Sequence, residues 1–207
     1  MQVDAVRMDI ALARTIVEAL ARRVIAHVDE LTQLDQAIGD GDHGLNMKRG
    51  FEAVLADLDA LAAGDAGTLF TGVGRTLVMK VGGASGPLYG TLFMQLGKSW
   101  PAVFDAAGLH ACCKAAVEAV AARGKSQSGQ KTMLDVLIPV VAGLEGDSDV
   151  AALRANAAAR AQATIPMEAQ RGRASFLKER SIGHMDPGAR SSQLMIEAVC
   201  DVLEPTP

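Results

Sequence analysis

Aromatic side chains are nearly missing from this chain: one Trp, one Tyr and five Phe make up 3% of 207 residues, although 49% of the sequence is hydrophobic. The apolar mass is therefore Ala, Leu, Val, Ile and Met, a composition that favours helices packed closely through small side chains. Cysteine is scarce as well. Cys112, Cys113 and Cys200 form no CxxC pair, and an odd, sparse set fits buried thiols in a reducing cytoplasm rather than a disulfide framework. His110 beside Cys112 reads as a helix residue, not as half of a soft-metal site. Basic runs are absent and the net charge is −4, which argues against general nucleic-acid binding. No apolar stretch approaches the roughly 18 residues of a spanning helix. The N-terminus, MQVDAVRMDI, lacks the basic segment and apolar run of a secretory signal. A cytoplasmic protein away from membranes is expected, as one domain over residues 1–207 with a sizeable core.

No run of alternating β-branched residues is long enough for a sheet, and no internal repeat is visible. What is present is helix after helix. Ile10, Val17, Leu20, Val24, Val28 and Leu31 recur at helical steps and predict one amphipathic helix from about Val6 to Leu34. A second is expected from an Asn46 cap to about Leu61, a third from Asp65 to about Met79, and a fourth from Pro87 to about Gly97. Residues 104–123 form a fifth. A sixth starts after Ser128 or Gly129 and reaches about Leu144, and a seventh is capped within Asp147–Asp149 and runs to Ala163. Residues 164–185 are the longest irregular stretch. Asp186-Pro187 has the N-cap and N1 signature of a last helix through about Leu203. The expectation is an all-α domain of about eight helices. If neighbours are antiparallel, the loops at 35–46, 82–87, 124–132 and 164–188 share one end.

The unusual residues sit in those loops. Asp35 precedes Gly39-Asp40-Gly41-Asp42-His43-Gly44, with Asn46 two positions on, so three carboxylates fall within eight residues. Like charges that close raise one another's pKa unless a cation compensates. Asp oxygens suit Mg²⁺, which keeps waters and takes further ligands from substrate phosphates. Asp, Asn and Gly also favour solvated turns, but His43 and Asn46 at the start of a helix favour a site. The second stretch, Gly82-Gly83-Ala84-Ser85-Gly86-Pro87, lets backbone amides approach an anion and leads into a helix N-terminus, a phosphate site in its own right. The alternative is a tight interhelical turn.

Arg123-Gly124-Lys125-Ser126 ends like a Walker A loop, but position 119 is Ala and the preceding residues are helical, so a P-loop is rejected. Gly124 through Met133 remain a candidate wall over a nucleotide base, Met being an adaptable apolar surface. Arg171-Gly172-Arg173-Ala174-Ser175, followed by Arg180 and His184, offers permanent positive charge to a phosphoryl-transfer site that has no P-loop lysine. Neither a hydrolase GxSxG elbow nor an HExxH zinc motif occurs.

Together, Asp35, GDGDHGLNM at 39–47, GGASGPLYG at 82–90, KTMLD at 131–135, RGRASFLKERSIGH at 171–184 and DPGA at 186–189 resemble the nucleotide-binding L subunit of dihydroxyacetone kinases. The same unit forms the C-terminal domain of single-chain dihydroxyacetone kinases. The resemblance runs from about residue 10 to the C-terminus. It implies an eight-helix antiparallel barrel with a nucleotide, ADP or ATP, and two Mg²⁺ ions in loops at one end. It implies that Asp35, Asp40 and Asp42 hold metal. His43, Leu45 and Asn46 would lie against the nucleotide, Ala84 and Ser85 would cradle phosphate, and Gly124, Met133, Asp186, Pro187 and Gly188 would flank the base. Arg173 matches a nucleotide-contacting arginine and joins the three aspartates as a catalytic candidate.

The resemblance also implies partners. A K subunit holds dihydroxyacetone, and a multiphosphoryl M subunit of the phosphotransferase system recharges bound ADP to ATP. A free-standing L unit favours that system over an ATP-exchanging kinase, and the KERSIGH ending of the irregular segment looks closer to the free-standing type. A second reading is a regulatory module that docks on a transcription activator. A third is a component acting on another short ketose such as erythrulose. Oligomeric state, including a homodimer, is left open.

Overall fold

The computed structural model describes residues 9–101, 105–145 and 149–204. Val6, residue 104 and Asp147, where three helices were expected to open, lie outside the described residues. Among those described, the chain is helical without strands: α1 (Ile10–Ala26), α2 (Val28–Ile38), α3 (His43–Ala56), α4 (Leu58–Leu61), α5 (Ala66–Lys80), α6 (Ser85–Lys98), α7 (Ala106–Gly124), α8 (Leu134–Gly143), α9 (Val150–Ala163), a 3-10 segment (Arg173–Ser181) and α10 (Pro187–Leu203). No helix among them is long and apolar enough to cross a membrane.

Local chemistry sets most of these boundaries. Asp9, Asp65, Asp105, Asp149 and Asp186 each cap a helix, accepting the backbone N–H three residues on. An aspartate there satisfies an orphan donor and complements the positive end of the helix dipole.

Several expected boundaries differ: the second helix breaks at Asp57 into α3 and α4, α6 opens at Ser85 rather than Pro87, and three further differences have a local cause. The first helix breaks at His27, whose Nδ1 lies 2.7 Å from the Arg23 carbonyl and whose N–H reaches back to Val24. The apolar period crosses the break because α1 and α2 bury the same face. The next helix opens at His43, not Asn46, because its first amides are capped from outside: Asp35 Oδ2 accepts the N–H of Asp42 at 2.8 Å and of His43 at 3.1 Å. Finally, α8 opens at Leu134 rather than near Gly129. The Asp135 carboxylate accepts from Gly129 and Thr132, and Lys131 takes a left-handed φ of 60°.

With α1 and α2 counted as one broken helix and α4 as a single turn, eight helices close a ring. α1 packs on α3, α3 on α5, and each later helix on the next until α10 returns to α1. Consecutive members alternate in direction, most of them joined by short loops, with the connection between α9 and α10 the long exception. Leu20, Val24, Leu31, Met47, Phe51, Val73, Leu77, Tyr89 and Leu194 fill the middle and are almost wholly buried. The closest pair, α5 and α6, touches backbone to backbone. A Cβ on Gly97 would come 2.4 Å from the Gly67 carbonyl oxygen, and one on Gly90 would stand 2.8 Å from that of Gly74. Residues 67 and 74 meeting 97 and 90 in reverse order makes the pair antiparallel.

Gly90→Ala should therefore destabilise the fold although alanine is the better helix former. The helix-propensity gain is about 1 kcal/mol, whereas forcing backbones apart in a packed core costs typically about 1–3 kcal/mol and sometimes more. A lowered urea midpoint with unchanged helical signal is expected. An unchanged or raised midpoint would mean that the two helices separate freely.

Candidate functional site

Because the ring alternates in direction, every second connection falls at the same end. The segments around 35–43, 82–88, 123–134 and 171–188 line one cavity of about 510 Å³ there, within the range of small-molecule sites. Asp35, Asp40 and Asp42 present carboxylate oxygens that all lie within 4.8 Å of one another. The turn that gathers them depends on two glycines. A Cβ on Gly39 would stand 2.1 Å from Asp35 Oδ1, and Gly41 has φ +76°. Arg173 Nη2 lies 3.0 Å from Asp40 Oδ2, so the 3-10 segment brings a guanidinium directly over the carboxylates.

Across the cavity, Gly82–Ala84 lead into the N-terminus of α6, where Ser85 and Gly86 begin the first turn. Gly83 has φ +63°. Met133, Gly124 and the Asp186-Pro187-Gly188 turn complete the wall.

A model of the DAK2 domain matches residues 37–201. The chain belongs to the DAK2 domain family. It is 46% identical over 181 residues to the "PEP-dependent dihydroxyacetone kinase 1, ADP-binding subunit DhaL" of Listeria innocua, covering 86% of this chain and 88% of that protein. It is 44% identical over 177 residues to the corresponding ADP-binding subunit of Escherichia coli, covering 81% and 84%. The dihydroxyacetone kinase of C. freundii, solved in complex with AMP-PNP and Mg²⁺, shares the fold with a TM-score of 0.74 at 24% identity. The match covers 92% of this chain but only 34% of that one.

Every site residue expected from the sequence lines the cavity of this DAK2 domain except two. Leu45 is 59% exposed. Asn46 is buried behind Gly82, with its Oδ1 accepting from Arg49 Nη2 at 2.6 Å. Tyr89 and Arg123 line the cavity too, with Ser126 and Lys131 of the expected 124–133 wall, although none of the four was given a role of its own. Tyr89 carried a further signal, being the single Tyr of an aromatic-poor chain; Lys131 carried only its place at the head of KTMLD.

A buried hydrogen-bond chain joins the two sides of the DAK2 cavity. His43 Nδ1 lies 3.0 Å from Ser85 Oγ and its Nε2 lies 3.0 Å from Ser191 Oγ. Ser191 Oγ also lies 3.0 Å from the Pro187 carbonyl and 3.2 Å from the Gly188 carbonyl. Burial holds the His43 pKa below its ordinary 6.5, against the upward pull of Asp35 and Asp42, so the imidazole is neutral. Tyr89 Oη sits 2.7 Å from Ser191 Oγ and 3.1 Å from the Gly188 carbonyl. Burial pushes the phenol up to about 12.

Asp186 is the ionisable group with the clearest consequence for stability. Burial pushes its carboxyl up to about 7, Asp135 adds to the rise, and Lys131 and the Ala189 N–H oppose it. The folded state then keeps a proton that the unfolded chain, with a carboxyl near 3.8, releases. This contribution is full below the unfolded value and is lost as pH rises through about 7. His43 acts in the opposite sense, its contribution being present above 6.5 and lost as pH falls, so the informative quantity is a difference. Asp186→Asn keeps the cap and removes the titration. From about pH 5 to about pH 8 the stability of the wild type relative to Asp186→Asn should fall, read from urea midpoints at each pH. Parallel profiles would mean that Asp186 titrates normally.

Proposed function

We propose that this chain is the nucleotide-binding, phosphoryl-transferring subunit of a dihydroxyacetone kinase. It takes the phosphoryl group from Mg²⁺-bound ATP and delivers it to dihydroxyacetone held on a separate K subunit. The observation that carries the reading is the facing of three convergent carboxylates, oxygen within 4.8 Å of oxygen, towards a glycine-rich helix N-terminus in one cavity. The names of relatives that match this chain over most of both lengths support it. All-oxygen donors of full negative charge fit Mg²⁺ and suit soft metals poorly. Asp35, Asp40 and Asp42 are assigned as the holders of two ions, which when bound neutralise charge developing on the phosphates.

The chain's own residues position and polarise. Asp35 gives one oxygen to two backbone amides and keeps the other for a cation. Ser85 Oγ lies against His43 Nδ1, and anion contacts at this loop are assigned to the free amides that open α6, around Ala84 and Ser85. Arg173 supplies a permanent charge that passes from Asp40 to a phosphate without deprotonation. Gly124, Met133 and the Asp186-Pro187-Gly188 turn are assigned to the base. Asn46 supports the Gly82 loop from behind, and Leu45 flanks the site. Catalysis by this subunit is placement and electrostatics rather than covalent work.

Recharging of bound ADP by an M subunit of the phosphotransferase system is part of the proposal. The main alternative is a component that exchanges ATP freely, for dihydroxyacetone or another short ketose. Mass spectrometry of what co-purifies, followed by dialysis in Mg²⁺, separates the two. Stoichiometric ADP that survives dialysis is expected of a coenzyme-holding subunit; an empty or freely exchanging site removes the phosphotransferase link. Asp40→Asn should weaken Mg²⁺-dependent ADP retention by roughly tenfold or more while leaving helical content intact, as loss of a charged ligand costs about 1.5–3 kcal/mol. Undiminished retention would sink the metal assignment.

A further inference from the structure

The loop between α9 and α10 carries Arg171 and Arg173 to the cavity, yet it has few apolar anchors: Phe176 is 84% exposed and Ile182 43% exposed. Its two arms are held instead by one side chain from a different connection. Lys131 is 1% exposed, and its ammonium donates to the carbonyls of Thr164 at 2.9 Å and Met167 at 3.0 Å on the outgoing arm. On the returning arm it donates to Ser181 at 2.8 Å and His184 at 2.6 Å. The Ile165 carbonyl stands at 3.5 Å. Five carbonyl oxygens thus converge on one charge. Without it all five would lose a charged donor, although the Thr164 and Ile165 carbonyls also accept the N–H of Met167 and of Gly183.

Around this cage the arms also bond directly. Gly183 N–H donates to the Ile165 carbonyl at 2.8 Å, Ala169 N–H to Ser181 Oγ at 2.9 Å, and Asp186 N–H to Thr164 Oγ1 at 3.1 Å. Residues 168–180 are therefore a closed loop whose neck is Lys131. Beyond the neck the 3-10 segment packs on α2, and polar contacts tie the loop to the rest of the site. Arg171 Nε donates to Gln130 Oε1 at 3.0 Å, Gln170 N–H to the Gln130 carbonyl at 3.2 Å, and Arg173 pairs with Asp40 at 3.0 Å.

We propose that Lys131 is a positioning residue that closes the neck of this loop, fixes Arg171 and Arg173 over the cavity, and so sets how long a nucleotide is retained. The retention step rests on the nucleotide reading above; the anchoring step does not. Burial draws the ammonium below its ordinary pKa against the pull of Asp186, as expected of a charge sustained by dipoles more than by a counter-ion.

The test measures two quantities on the full chain: hydrogen exchange of the neck amides Ala169, Gly183 and Asp186, and the release rate of a fluorescent ADP in Mg²⁺. Wild type is compared with Lys131→Met, which keeps the bulk, and with Lys131→Ala, which leaves room for a small amine. Both variants should exchange these amides and release ADP roughly tenfold faster or more, the loss expected of charged hydrogen bonds, with α1 and α5 still protected. Addition of n-propylammonium to Lys131→Ala should slow both rates towards wild type, and n-propanol should not. Wild-type release in both variants overturns the proposal, as does equal rescue by n-propanol, which would make Lys131 a space-filler. A wild type that binds no ADP defeats the nucleotide reading and the retention step with it, while the exchange rates still decide whether Lys131 anchors the loop.

Discussion

A single ammonium, that of Lys131, stands where the ends of the longest irregular segment meet. Burying an unpaired charge costs several kcal/mol or more, and here the carbonyls around it are themselves in need of donors. Each side answers the other: the backbone solvates the cation, and the cation satisfies a segment with too little apolar surface to pack. Neighbouring groups depend on this arrangement. Asp186 caps α10 within the field of that charge, and Asp135 ties down the turn on which Lys131 sits. The wall that carries two arginines has other ties, to Gln130 and Asp40, but Lys131 is where its two ends are gathered.

The ring supplies what Lys131 cannot, a rigid end on which loops from distant parts of the sequence meet. Its tightest seam, where Gly67 and Gly74 lie against Gly97 and Gly90, holds α6 against α5 and with it the amides that open α6. Few bulky rings are needed in such a core. Phe51, Phe70, Phe93 and Trp100 form one cluster, and apart from Tyr89 the buried remainder of the core is aliphatic. Scarcity of aromatics in the composition is thus the counterpart of helices that approach through small residues.

Much of this is legible in the sequence. Periodicity and Asp caps located the helices, since both are local properties. The clustering of odd residues in alternate loops foretold one shared end. What escaped was non-local. Asp35 caps a helix eight residues downstream from within the preceding one, so Asn46 took its place in a reading that knew only neighbours. The kink at His27 leaves the apolar period untouched and has no sequence trace. Lys131 looks like any lysine ahead of a helix until the far arms of the 164–184 loop are folded around it. Leu45 shows the reverse: its motif is intact, yet its side chain is exposed and does not line the cavity.

The position of Tyr89 has an optical consequence. It is the chain's only tyrosine, and its hydroxyl ends the hydrogen-bond chain that starts at Ser85. The near-ultraviolet band of a phenol shifts with its hydrogen bonding, and here one chromophore of that type reports on one place. Occupancy of the cavity can therefore be followed in the unlabelled protein by tyrosine difference absorbance, without a mutation or an attached dye to disturb the loops.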